Sequence, residues 1–397
     1  MMKKTSMLAL ITVVAFSFFA LNAFAGAPGV TPGNIKLGAV IDKSGPVVHS
    51  LAEQTYGQLA YFKKAYADGI YKRKIKLITE DGQYNPAKHL AVGKLLLDRD
   101  KVFCLINAVG TSPTLALNKL LEARKVPLVS VSAQSNRLAV PFKRYIFNQM
   151  AAYHDQARAC VDFIVSKNPK ARIALICQDD DFGHEAREGF LEQTKKYGLK
   201  PAGVILYQRG AKDFSSPVIK LKSLNPDWVI NHAIAPYGAA IFKEAAKLGW
   251  KTKWMAMSGL MGRQFIKLCG KSLDFFDVVY GVMLNYPPDG TSPEAVLEYQ
   301  EAIKKYAPKA DYINSETMWG YGFAKVLIEG LKRAEANNDL TREGLIRALE
   351  TLKNFETGVF PPITYTSSSH AAPDSLMGVE RKGPTWVPLT GKWIKAK

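Results

Sequence analysis

The chain has 397 residues, a formal net charge of +18, 47% hydrophobic residues and only four cysteines. That length suits two domains, and so few cysteines exclude a disulfide-stapled scaffold. The basic excess raises the question of an acidic partner, but Lys63, Lys64, Lys195, Lys196, Lys304 and Lys305 are spread over separate amphipathic patterns. Solvated helix faces are therefore expected, and nucleic acid is not a partner.

In chain order, Lys3 and Lys4 precede an apolar run from Met7 to Leu21 that closes on Ala23-Phe24-Ala25. This reads as a secretory signal peptide over residues 1–25, cleaved before Gly26. The run is shorter than the roughly 20 residues of a spanning helix, and no Cys follows it to carry a lipid. Cys104, Cys160, Cys177 and Cys269 show no CxxC spacing and read first as core residues. Export permits one disulfide, and a helical Cys160 against a strand Cys177 is the pair to test.

Apolar, β-branched runs at 35–41, 74–80, 102–107 and 127–131 alternate with helix-length segments, the pattern of a parallel sheet. Asn85-Pro86 and Ser112-Pro113 each set a capping side chain before a proline, which predicts helix starts there. After "YIFNQM", a strand-like run ending at Met150, a second series follows. Its strands are predicted at 172–177, 202–207, 228–231, 253–257 and 278–283. Its helices are predicted at 153–166, 184–197, 214–224 and 237–248. Helical patterns at 293–306, 316–333 and 342–352 precede a Pro-, Gly- and Ser-rich tail with short strands. The class is α/β, with two Rossmann-like lobes.

Two loops draw attention. "LINAVGTSPTLAL" leaves a buried strand through Val109, Gly110, Thr111 and Ser112. There a helix start offers free N–H groups, Gly110 permits close approach, and Thr111 turns a hydroxyl outward. A well-capped helix is the plain alternative. The next strand ends likewise, in Ser132-Ala133-Gln134-Ser135, and two adjacent loops of this kind converge on the crevice where open α/β sheets bind ligands.

The segments "IKLGAVIDKSGP", "IKLITEDGQYNPAKHLAVGKLL", "VPLVSVSAQSN", "IALICQDDDFGHEAREGF" and "AKDFSSPVIKLKSLNPDWVI" together resemble the type I periplasmic solute-binding proteins of the leucine/isoleucine/valine-binding group. The resemblance spans essentially the whole mature chain. It implies two lobes joined by three crossings, with the ligand held in the cleft by hinge closure. It assigns 33–151 and 284–357 to the first lobe, and 152–283 and 358–397 to the second. It also implies a small-molecule ligand, a periplasmic location, an inner-membrane ABC permease as partner, a monomer and no cofactor.

Carried over residue by residue, the resemblance gives Thr111 and Ala133 the ligand carboxylate, with Val109, Gly110 and Ser135 beside them. Gln134 stands where the family usually has Thr, and Ser50, beside His49, stands where an aromatic is common. Phe182 keeps an aromatic ring but loses its hydroxyl, and Ile234 or Ala235 replaces a second-lobe aromatic. Ser258 falls where amino-acid binders carry the acid that meets the α-amino group, and Tyr153 replaces another acidic residue. A buried ammonium without a carboxylate is costly by several kcal/mol. These departures point to a small carboxylate or amide with an apolar or aromatic body, with ordinary branched-chain amino acids as the alternative.

An enzyme is not expected. Ser44, Ser112 and Ser258 lack the G-x-S-x-G setting, and His49, His154, His184 and His232 form no HExxH or comparable metal spacing. His49 and His232 lie on loops able to face the crevice. Asp179 to Asp181, just before Phe182-Gly183, read as capping residues. A module that reports ligand state to a membrane receptor is the alternative from another class, and an adjacent receptor-kinase gene in place of permease and ATPase genes would favour it.

Overall fold

The computed structural model describes residues 27–288 and 294–397, so the leader expected over 1–25 lies outside the described residues. The first sheet is parallel throughout, in the order β2-β1-β3-β4-β5, with β1 Asn34–Ile41, β2 Lys74–Asp81, β3 Cys104–Ala108, β4 Leu128–Val129 and β5 Ile146–Phe147. Period-2 alternation sends its side chains to two cores. Ile35, Leu37, Cys104 and Ile106 pack under α1 (Val48–Ala67), α9 (Glu294–Tyr306), α10 (Ser315–Ala336) and α11 (Arg342–Glu350). Val40, Leu105, Ala108 and Leu128 pack on the other face against α2 (Pro86–Asp98) and α3 (Thr111–Arg124).

The second sheet runs β7-β6-β8-β9-β10 in parallel and then continues antiparallel into β11 and β12, with β13 also on β11. Its strands are β6 Ile173–Gln178, β7 Gly203–Tyr207, β8 Trp228–His232, β9 Lys253–Ala256, β10 Val279–Met283, β11 Ser375–Lys382, β12 Thr385–Pro388 and β13 Ile394–Lys395. Leu175, Cys177, Ile230 and Met255 face α4 (Tyr153–Lys167) and α5 (Asp181–Lys196). Ile176, Val229, Trp254 and Ala256 face α6 (Ser215–Ser223), α7 (Ala235–Lys247) and α8 (Arg263–Cys269). The four cysteines are buried and unpaired, so the disulfide tested for between Cys160 and Cys177 is absent. Burial pushes the Cys177 thiol up to about 12, which leaves it unreactive.

The chain passes between the sheets near 148–152, 284–288 and 371–374, and these passages are tied together. The Asn148 N–H donates to the His370 carbonyl (3.0 Å), and the Tyr365 hydroxyl donates to the Asn148 carbonyl (2.7 Å). The Tyr286 N–H donates to the Val359 carbonyl (3.1 Å). One expectation needs correction here. Val359, Phe360, Ile363 and Tyr365 belong to the core under the first sheet, so the tail joins the second sheet only at Ser375 and not from residue 358.

Candidate functional site

The carboxyl ends of both sheets meet across a cleft, and the loops that leave them enclose a cavity with an empty volume of about 730 Å³, part of it open to solvent. From the first lobe come Val47 after β1, Tyr84 after β2, Val109 and Gly110 after β3, and Ser132 and Gln134 after β4. Helices α1 and α10 add His49, Ser50, Gln54, Glu316 and Trp319. The second lobe supplies Tyr153 at the head of α4, Phe182 at the head of α5, Ile234 and Ala235 after β8, and Gly259 and Gln264 after β9.

Of the residues expected at the site, His49, Ser50, Val109, Gly110, Gln134, Tyr153, Phe182 and Ile234 thus line one cavity. Thr111, Ala133, Ser135 and Ser258 do not. Ala133 is fully buried in the core beneath the sheet. Ser135 gives its hydroxyl to Glu185 of the opposite lobe. Ser258 is buried; its N–H donates to Gln156 Oε1 at 3.3 Å, and its hydroxyl finds no partner among the described residues.

Thr111 lies one residue beyond the lining. The helix begins differently from the sequence expectation: Gly110 is the N-cap, with φ +84°, Thr111 is the first helical residue, and Ser112 caps nothing. Only glycine adopts that φ readily, so the turn closes two residues earlier. Pro113 is tolerated because a first-turn N–H has no helical acceptor anyway. Thr111 is 1% exposed and its hydroxyl is unpartnered among the described residues.

Aromatic rings form the apolar wall. Tyr153 meets Phe182 edge-on at 4.9 Å, and behind them lies His232, 3.9 Å from the Phe182 ring. Burial drives His232 down to about 4, so it is neutral at physiological pH and donates from Nε2 to the Phe182 carbonyl at 3.0 Å. It is fully buried and supports the wall without opening onto the cleft. Trp319 donates from its ring nitrogen to Asn285 Oδ1 at 2.7 Å, which ties the cavity wall to the second crossing.

The polar side adds Gln54, Asn107 and Glu316, which carry no signal in the sequence. Ser132 donates to Asn107 Oδ1 (2.7 Å), and Asn107 Nδ2 donates to Gln54 Oε1 (2.9 Å), forming a buried relay beside the cavity. Glu316 is 4% exposed and accepts from the Ser50 hydroxyl at 2.6 Å. The cleft therefore does contain an acid, supplied by the first lobe and not at position 258. It stands on a helix, outside the strand-end loops, where the sequence carries no signal of a site.

Contacts across the cleft hold the lobes closed. Glu185 takes the Ser135 hydroxyl and the Asn136 N–H (2.6 Å). Arg209 pairs with Asp180 and reaches the Tyr84 carbonyl at 3.1 Å and the Ser112 hydroxyl at 3.4 Å. Asp180 caps α5 through the N–H groups of Phe182 and Gly183, the role its sequence position suggested.

Two α/β lobes with strand ends converging on an interlobe cavity define a two-lobed solute-binding protein. The chain belongs to the periplasmic binding protein family, whose model matches residues 34–382. Its fold is that of the type I members. It is 24% identical to the Leu/Ile/Val-binding protein of Escherichia coli, over 82% of this chain and 90% of that one. It is 21% identical to an amino acid binding protein of Pseudomonas aeruginosa, over 75% and 79%. A fatty acid ABC transporter substrate-binding protein from Thermomonospora curvata superposes with a TM-score of 0.82 at 22% identity, covering 94% and 93% of the two chains. A branched chain amino acid ABC transporter structure from Thermus thermophilus with bound valine gives 0.81 at 21% identity, covering 91% and 96%.

Proposed function

We propose that the protein is the periplasmic, monomeric solute-binding subunit of an ABC importer, closing over a small carboxylate or amide with an apolar or aromatic body and presenting it to an inner-membrane permease. The observation that carries this reading is the pairing, in one cavity, of an aromatic wall (Tyr84, Tyr153, Phe182, Trp319) with Gly110, the N-cap of α3, with Thr111 buried one residue further on. The free N–H groups and positive end of that helix favour an anionic or carbonyl oxygen. The unpartnered Thr111 hydroxyl is a donor awaiting an acceptor. Both fatty acids and branched-chain amino acids, named for the relatives above, join a carboxylate to an apolar body.

The test is a thermal-shift screen of the ligand-stripped protein against aliphatic and aromatic carboxylates, amides and amino acids. Ligand at a hundred times its dissociation constant stabilises by about 2.7 kcal/mol. Thr111→Ala is expected to weaken carboxylate ligands by more than about tenfold. Unchanged affinity would remove Thr111 from the site, and no stabilisation across the whole panel would sink the proposed solute class.

A further inference from the structure

Glu316 is set apart from the other acids of the molecule by what surrounds it. A first-turn glutamate ordinarily lies in solvent, where it favours the helix dipole. This one is buried, and its carboxyl group is turned into the cleft. Oε1 accepts from Ser50 of α1, while Oε2 finds no partner among the described residues. On the second-lobe side Gly262 makes room for it. A β-carbon at residue 262 would lie 2.7 Å from the carboxyl carbon and 2.9 Å from each oxygen, although the glycine's own φ of −72° requires no glycine. Among the described residues, the cavity lining contains no Lys or Arg.

The charged neighbours are already engaged elsewhere. Glu53, one turn along α1 from Ser50, accepts from the Thr317 hydroxyl (2.6 Å) and the Asp311 N–H (3.0 Å). Arg263, which follows Gly262, spends its guanidinium on Asp311 at 3.1 Å. Among the described residues, His49 is the histidine on the cavity wall. A buried carboxyl oxygen facing a cavity without a cation calls for one from outside the chain, because an unpaired buried charge is costly.

We propose that the free carboxyl oxygen of Glu316 receives a basic nitrogen of the ligand, so that the end of the cleft beside Ser50 and Gly262 selects solutes bearing an amino group. This rests on the solute-binding reading above and narrows it, since it supplies the ammonium partner that position 258 lacks. It also fixes a pH dependence. Burial pushes the ligand-free carboxyl up to about 7, helped by the Glu53 charge. Below that pH the acid is increasingly protonated, and a ligand ammonium must displace the proton. Affinity for amine-bearing ligands therefore falls as pH drops below about 7, by up to about tenfold per pH unit. Affinity for amine-free carboxylates does not fall.

The experiment is calorimetric titration of the ligand-stripped protein with three matched pairs: leucine and 4-methylpentanoate, phenylalanine and 3-phenylpropionate, leucinamide and 4-methylpentanamide, each at pH 8 and pH 5.5. The expected result is an amine preference of more than about tenfold at pH 8 that shrinks at pH 5.5. The preference and its pH dependence should vanish in Glu316→Gln, where the two members of each pair bind alike. Equal or better binding of the amine-free members by the natural chain at pH 8, or an undiminished preference in Glu316→Gln, overturns the inference while leaving the solute-binding reading intact. The natural chain's own pH comparison decides the matter even if the variants do not fold. Failure of all six probes to bind strikes the proposed solute class itself, and the inference falls with it.

Discussion

Gly320→Ala is expected to lower the unfolding free energy by about 2–3 kcal/mol, read as a lower urea midpoint with an unchanged slope. A methyl group at residue 320 would lie 1.9 Å from the Gln54 carbonyl oxygen and 2.6 Å from its carbon. The facing glycine is as tight: at Gly57 it would lie 2.0 Å from the Thr317 carbonyl oxygen and 2.8 Å from the Tyr321 nitrogen. Both clashes are with backbone, so no side chain can swing aside and the helices must part. Alanine gains about 1 kcal/mol of intrinsic helix propensity over glycine, which offsets part of the cost without reversing it. The double variant should cost less than the sum of the singles, because one separation of α1 from α10 relieves both clashes. An unchanged midpoint in Gly320→Ala would mean that these helices do not cross at Gly57 and Gly320. The same crossing sets Ser50 and Gln54 opposite Glu316 and Trp319, so the variant should also weaken ligand.

That crossing marks the boundary of what could be read from the sequence. The alternation of β-branched runs with helical patterns locates the parallel strands of both sheets to within a few residues, because period 2 and period 3.6 are local signals. The loops at strand ends follow from the same pattern, which pointed to Val109, Gly110 and Gln134, whereas Phe182 and Ile234 came from the family resemblance; all five line the cavity. Gln54, Glu316 and Trp319 carry no such signal. On their helices they continue ordinary amphipathic faces, and only the contact between α1 and α10 turns them into a cavity wall. Ser112-Pro113 points to a helix start two residues late, because the backbone follows the positive φ of Gly110. The resemblance places the tail in the second lobe from residue 358, and the tail carries no periodicity that would place it otherwise. Val359, Phe360 and Ile363 are irregular in backbone, and long-range burial alone assigns them to the first core.

Glu185→Ala is expected to raise the dissociation constant of any ligand that closes the cleft by about 30-fold, with little change in the melting temperature of the ligand-free protein. Glu185 rides on α5 of the second lobe and is 1% exposed. Both of its acceptor contacts come from the first lobe, the Ser135 hydroxyl and the Asn136 N–H at 2.6 Å. Parting the lobes breaks both and returns the carboxylate to water. Hydrogen bonds to a charged group contribute about 1.5–3 kcal/mol each, and desolvation, which raises this carboxyl's pKa, offsets part of that. A net loss of about 2 kcal/mol corresponds to about 30-fold. The neighbouring pairs of Arg137 with Asp181 (2.7 Å) and Glu188 (2.9 Å) join the same surfaces. All three side chains are at least a third exposed, so removing Arg137 should cost threefold or less. A ligand can shift the open and closed populations only by its differential affinity for them, so weakening closure weakens binding without touching the cavity. Equal affinity in Glu185→Ala would mean that this carboxylate contributes nothing to closure. Ser135, expected beside the ligand, would then have no role in binding either, since its hydroxyl already serves Glu185.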